Sequence, residues 1–148
     1  MSTSDIGTAV AIATGAPATQ DKAGFEALTW VVINGIQEAP TFGTTHADID
    51  VVDLGTGFTT GLKGAETGVA DSLMFREVVS DAGQAAVLAA ARARGEYSLR
   101  TIDPTTTVYT YASGIVKDYV PNKPTTTSFA GASVTFRPNA VPVITTAP

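Results

Sequence analysis

Hydrophobicity along this chain repeats every second residue almost wherever it repeats at all, and one stretch, residues 81–95, departs from that habit. Alternation of period two is the signature of strands with one face buried and one face wet. Trp30-Val-Val-Ile33 is such a run, and it ends at Asn34-Gly35, a pair that commonly joins the two strands of a hairpin. Its partner on that reading is residues 36–42. Residues 46–53 (HADIDVVD) put Ala47, Ile49 and Val51 on one face, expected to be buried, and His46, Asp48 and Asp50 on a wet, acidic one. Further strands are expected over residues 72–79, 97–102, 108–120 and 128–137. In residues 108–120, Tyr109, Tyr111, Ile115 and Tyr119 share one face, while Val108, Ala112, Gly114 and Val116 share the other. Asp103-Pro104 and Pro121-Asn122-Lys123-Pro124 punctuate these runs.

The exception is a helix over residues 82–93. Asp81 stands at the N-cap, with Gln84 three residues on as in a capping box. The alanine-rich body has high helix propensity. Arg92 and Arg94 complement the dipole at the end that Gly95 terminates. One helix among seven or eight strands predicts a mainly β fold, an antiparallel β-sandwich or barrel with one flanking helix at about residues 81–94. At 148 residues the chain fits a single domain. It divides into an N-terminal arm (about 1–24, with its apolar run at residues 9–13), a long glycine-rich loop (about 54–70) and a C-terminal extension (about 138–148). The loop assignment rests on glycines 55, 57, 61, 64 and 68, a density that disfavours any regular element.

Composition removes most chemistry. There is no cysteine and one histidine, so thiolate metal sites, Cys nucleophiles and His clusters are excluded within one chain. Nine Lys+Arg against fourteen Asp+Glu give a net charge of -5, which argues against a dedicated nucleic-acid binder. Residues 1–20 lack the basic start and long apolar core of a secretory signal. Val51-Val-Asp-Leu-Gly-Thr-Gly57 is similar to the first motif of nucleoside-methyl-donor methyltransferases, but Thr59 replaces the third glycine. No helix can readily start in the glycines that follow, so a strand running into a loop is the better reading. Asp48, Asp50 and Asp53 lack the phase and the closing Glu of a calcium loop. No serine sits in a nucleophile elbow. The tyrosines fit packing along a sheet better than a stacking platform for sugars or single strands. No catalytic, cofactor or metal site is expected, so the chain reads as a non-enzyme.

The order of elements carries a resemblance. The strand at residues 73–79, the helix opened by Asp81-Ala-Gly-Gln-Ala-Ala86, the strand at 96–102, and long strands with Gly114-Ile-Val116 and Gly131-Ala-Ser-Val-Thr-Phe136 follow in sequence. Together, over about residues 25–137, they resemble the tail tube (major tail) proteins of long non-contractile-tailed phages and phage-like gene transfer agents. The resemblance implies a structural virion protein, made in the host cytoplasm, whose hexameric rings stack into a hollow tail tube that delivers DNA. Its partners would be further copies of itself and the tape-measure, tail-terminator and distal tail proteins. No membrane, cofactor or small-molecule substrate is implied. Gly55, Gly57, Phe58, Gly61, Leu62 and Gly64 would then lie in an inter-ring loop, and both chain ends would act as inter-ring arms.

Asp48 and Asp50 are expected to face the lumen, because an acidic wall repels phosphates over about a Debye length, roughly 8 Å. The chain is also poor in the charged residues that normally blunt sheet edges, which favours edges covered by neighbours. The alternative is a monomeric β-sandwich binding module, carbohydrate-binding or adhesive, that uses the tyrosines. A methyltransferase-like enzyme built on residues 51–57 is a remote third.

Overall fold

The computed structural model describes residues 8–146. In chain order its elements are β1 (Ala9–Thr14), α1 (Lys22–Glu26), β2 (Val31–Ile33), β3 (Ile36–Glu38), β4 (Gly43–Val52), β5 (Thr59–Val69), β6 (Asp71–Arg76), α2 (Ala82–Arg92), β7 (Tyr97–Ile102), β8 (Val108–Pro121), β9 (Gly131–Pro138) and β10 (Val143–Thr146). Eight strands form one sheet in the order β2-β1-β7-β8-β9-β6-β3, with β10 on β8 beyond the end of β9. Every pairing is antiparallel. The fold is thus mainly antiparallel β, as the alternation requires.

Topology forces this sheet to curl. Its two end strands, β2 and β3, are joined by Asn34-Gly35 alone. Three residues of chain, from Ile33 to Ile36, reach at most about 11 Å. Seven strands laid flat would hold their outer members roughly 29 Å apart. The sheet therefore closes back on itself around α2. Val10, Ile12, Ile33, Leu73, Phe75, Leu99, Ala112, Val116, Val134 and Phe136 point inward and meet Val87 and Ala90 of the helix. Val87 and Ala90 are fully buried, because the small alanine flank lets the helix sit close to the strands.

This topology corrects the hairpin expected at Asn34-Gly35. Gly35 does take the positive φ that the pair provides, +78°. The strands on either side pair with other partners, however: Val10 opposes Ile33, and Ile36 opposes Phe75. The seam is closed by side chains. Asn34 Nδ2 donates to Asp81 Oδ1 (2.6 Å), and Gln84 Nε2 donates to the carbonyls of Asn34 and Arg76 (2.7 Å each). Asp81 caps α2 as expected, accepting from the Gln84 backbone N–H (2.9 Å). The Gln84 side chain does not return to the cap as a capping box would. Its Oε1 accepts from Val78 N–H (3.0 Å), so it joins the two sheet ends instead.

The expected N-terminal arm is also corrected within the described residues. β1 is an inner strand, paired with β2 on one side and β7 on the other, and Val10 and Ile12 belong to the core. Residues 1–7 of that arm lie outside the described residues. A second helix, α1, follows β1, capped by Asp21, which accepts from Gly24 N–H (2.8 Å). It covers the outer face of the sheet, where Phe25 stacks on Tyr111 (5.1 Å between ring centres, 14° between planes) and Trp30 tilts against it at 5.6 Å. The C-terminal extension contains β10, held on β8 with Val143 opposite Tyr111. β8 does not keep Tyr119 on the face of Tyr111. Its register shifts between Lys117 and Val120, where Asp118 has φ 57°, and Tyr119 turns inward to pack near Phe75.

Candidate assembly surfaces

The stretch read as a glycine-rich loop is half of a β-ribbon. β4 and β5 pair along their whole length as a separate two-stranded sheet, and only residues 53–58 form its turn. Gly55, Gly57 and Phe58 lie in that turn, whereas Gly61, Leu62 and Gly64 lie in β5. Within the turn, Gly57 N–H donates to the Asp53 carbonyl (2.7 Å) and Gly55 N–H to Asp53 Oδ1 (2.8 Å). Gly57 has φ +67°, which L side chains rarely adopt. Val51–Gly57 is thus strand and turn followed by another strand, and no helix N-terminus stands ready for a cofactor phosphate. Glycine density fails as a loop signal here because an exposed ribbon packs few side chains. Two glycines of β5 leave no room for a side chain: β5 carries an extra residue between His46–Glu66 and Asp48–Lys63, where a Cβ on Gly64 would stand 2.9 Å from the Ala47 carbonyl oxygen, and a Cβ on Gly68 would strike the Pro138 carbonyl.

The alternation read over residues 46–53 is present, but the expected burial of its apolar face is not. Ile49 opposes Leu62 and Val51 opposes Thr60 on one face, while His46, Asp48 and Asp50 share the other. Ile49 is 50 %, Leu62 51 % and Val51 45 % exposed. Leu54 and Phe58 at the tip are 98 % and 73 % exposed. The reason is that no second layer among the described residues covers the ribbon. Asp48 and Asp50 are exposed, and Glu66, between Thr44 Oγ1 (2.6 Å) and His46 Nε2 (3.8 Å), adds a third carboxylate to their face.

The ribbon is fastened at its root. Asp71, two residues past its end, accepts from the backbone N–H and hydroxyl of Thr41, two residues before its start (2.8 and 2.9 Å). The Thr41 N–H is the main reason the Asp71 carboxyl is held below its ordinary value, against the opposing effect of burial. Gly68 packs directly on the carbonyl of Pro138, which ties the ribbon to the end of β9. This clamp was not legible in the sequence, since Thr41 and Asp71 lie 30 residues apart and neither belongs to a motif.

The tyrosines do not form an open platform. Tyr111 is 1 % exposed, and burial raises its phenol pKa. Arg100 lies over the rings of Trp30 (5.1 Å) and Tyr109 (5.6 Å) and completes the packing on that face. No cluster of His, Asp and Glu suited to a metal occurs among the described residues, and none of their helices is long and apolar enough to cross a membrane.

No protein-family model and no curated protein matches the chain. Solved structures do match in fold. A chain of the sheath–tube complex of an extracellular contractile injection system, in its extended state, superposes with a TM-score of 0.61 at 8 % identity, covering 95 % of this chain and 88 % of that one. A chain of the sheath/tube terminator of such a system gives 0.60 at 8 % identity, covering 93 % and 92 %. Both similar chains come from contractile assemblies, which corrects the resemblance to non-contractile tails read from the sequence. At such low identity the likeness establishes one thing: this chain has the fold of a component of a contractile injection machine.

Proposed function

We propose that this chain is a structural, non-enzymatic tube subunit of a phage-like or injection-type tail. Its copies form hexameric rings that stack into a hollow conduit, and DNA passes through without specific binding. The observation that carries this reading is the β4–β5 ribbon. It is an amphipathic strand pair, clamped at its root, whose apolar face and tip find no cover among the described residues. Contiguous exposed apolar surface of this kind marks an interaction site. The fold likeness to a sheath–tube component names the kind of assembly that would cover it. On this reading the inter-ring contact is made by Phe58, Leu62 and the glycine-bearing turn at Gly55 and Gly57, with Gly61 and Gly64 in the strand behind. Asp48 and Asp50 face the channel. Tape-measure, terminator and distal tail proteins would meet the two ends of the tube.

The binding-module alternative loses its recognition surface, because Tyr111 is packed beneath Phe25 and Trp30. Sedimentation of the purified chain across concentrations tests the proposal. A tube subunit gives rings or larger polymers that grow with concentration, and a species fixed at 15.1 kDa would reject it.

A further inference from the structure

One dipeptide joins the two ends of the curled sheet. Asn34-Gly35 connects β2 to β3, and the fold requires its glycine. Gly35 has φ +78°, and a Cβ there would stand 2.5 Å from the Arg76 carbonyl oxygen. Asn34 is committed as well. Asp81 accepts from its Nδ2 (2.6 Å) and its backbone N–H (3.3 Å), and Gln84 Nε2 donates to its carbonyl (2.7 Å).

Asparagine followed by glycine is also a reactive pair, because no Cβ shields the glycine nitrogen. The Gly35 backbone nitrogen attacks the side-chain carbon Cγ of Asn34. A Gly35 N–Cγ bond forms, the Cγ–Nδ2 bond breaks, and Nδ2 leaves as ammonia with the Gly35 amide proton. The five-membered imide then adds water at one of its two carbonyls. Opening at Cγ gives aspartate, and opening at the main-chain carbonyl gives isoaspartate, whose peptide bond runs through the side chain. Water has replaced ammonia, and nothing is oxidised or reduced. Asn34 is exposed, so water reaches it.

We infer that Asn34 is a site of this spontaneous modification, that the closed seam suppresses it, and that its product keeps the seam from closing again. Ring closure brings Cγ into line with the backbone carbonyl carbon, off the staggered side-chain positions. The bonds to Asp81 and Gln84 hold in place the amide and the peptide that must turn. The seam therefore has to open first. Its product then opposes re-closure. Burial raises the Asp81 carboxyl pKa, but the bonds from Asn34 and Gln84 outweigh burial and keep it below its ordinary value. The aspartate product places a second acceptor where a donor stood 2.6 Å from that carboxylate, so repulsion replaces a bond. Isoaspartate lengthens the main chain by one carbon and displaces Gly35, whose carbonyl accepts from Arg76 N–H (2.7 Å). The chemistry needs the seam alone and is the same whether or not copies assemble.

The experiment holds the full chain under mildly alkaline conditions, folded in buffer and unfolded in urea, and follows the peptide carrying residue 34 by mass spectrometry. In urea that peptide is expected to gain the mass of amide-to-acid conversion, with isoaspartate at residue 34. The folded chain is expected to react at least about tenfold more slowly, the factor a hydrogen bond to a charged acceptor supplies. Asp81→Ser keeps a capping side chain for α2 but removes the carboxylate that holds Asn34. Folded, it is expected to react at least about tenfold faster than the native chain. Asn34→Asp, which carries the product's charge, is expected to melt below Asn34→Ala, which only loses the bond. No conversion at residue 34 in urea, or a folded rate equal to the unfolded one, overturns the inference. So does a folded Asp81→Ser as slow as the native chain, or an Asn34→Asp that melts at or above Asn34→Ala. If Asp81→Ser does not fold, the native and unfolded rates decide the matter.

Discussion

Single residues set where the ribbon points and what its faces present. Asp71 holds the root through Thr41, and its carboxyl is depressed below the ordinary 3.8, chiefly by the Thr41 backbone N–H. A group depressed on folding contributes stability above its unfolded value and loses it as the pH falls through the folded value. The native chain is therefore expected to melt at higher temperature than Asp71→Asn at about pH 6, with the gap narrowing as the pH falls below 3.8. Thermal melts at a series of pH values check this, and a gap that widens in acid would contradict it. Asp48 and Asp50 bear on the channel proposed above. In the proposed ring each carboxylate is repeated around the axis, and confinement strengthens the resulting field. Replacing both with Lys is expected to cost within about 0.5 kcal/mol of stability, since neither is buried, and to slow DNA passage through assembled particles. Delivery at the native rate by normally assembled Lys variants would remove them from the channel wall.

At the level of elements, the legible parts were those whose cause is local. Helix α2 could be read from Asp81 at its cap and the alanines after it, and β8 from a long alternating run bounded by Asp103-Pro104 and Pro121. What could not be read was decided by partners distant in sequence. Asn34-Gly35 encodes a positive φ, not the identity of the strands beside it. The alternation of Ile49 and Val51 was visible, but nothing within residues 46–53 encodes whether another layer lies against them. The glycines of β5 looked like a loop because the penalty for glycine is largest where a strand must pack, and this strand does not.

Two outcomes follow for elements. Removing residues 1–13 deletes most of β1 from between β2 and β7, so the variant is expected to lose the native circular dichroism spectrum; a folded variant would contradict the placement of Val10 and Ile12 in the core. The tip behaves differently. The pair Leu54→Ser and Phe58→Ser should leave the melting temperature nearly unchanged. If both side chains are buried on assembly, at about 1.5–3 kcal/mol each, the concentration needed to assemble should rise by at least about a hundredfold. Light scattering against concentration measures it, and an unchanged threshold would free the tip from the interface.

For the whole molecule, the fold, the charge and the uncovered surface converge on one account. A curled sheet around α2 gives a rigid body, and a clamped ribbon projects from it. Among the described residues an apolar ribbon face is left open, which another copy can cover without new chemistry. A net charge of -5 suits a wall that must not hold a polyanion. The most direct test is negative-stain electron microscopy of the purified, concentrated chain. The account predicts hollow rings with six-fold symmetry and short tubes built by stacking them. A field of uniform 15.1 kDa particles, or of closed dimers, would contradict it.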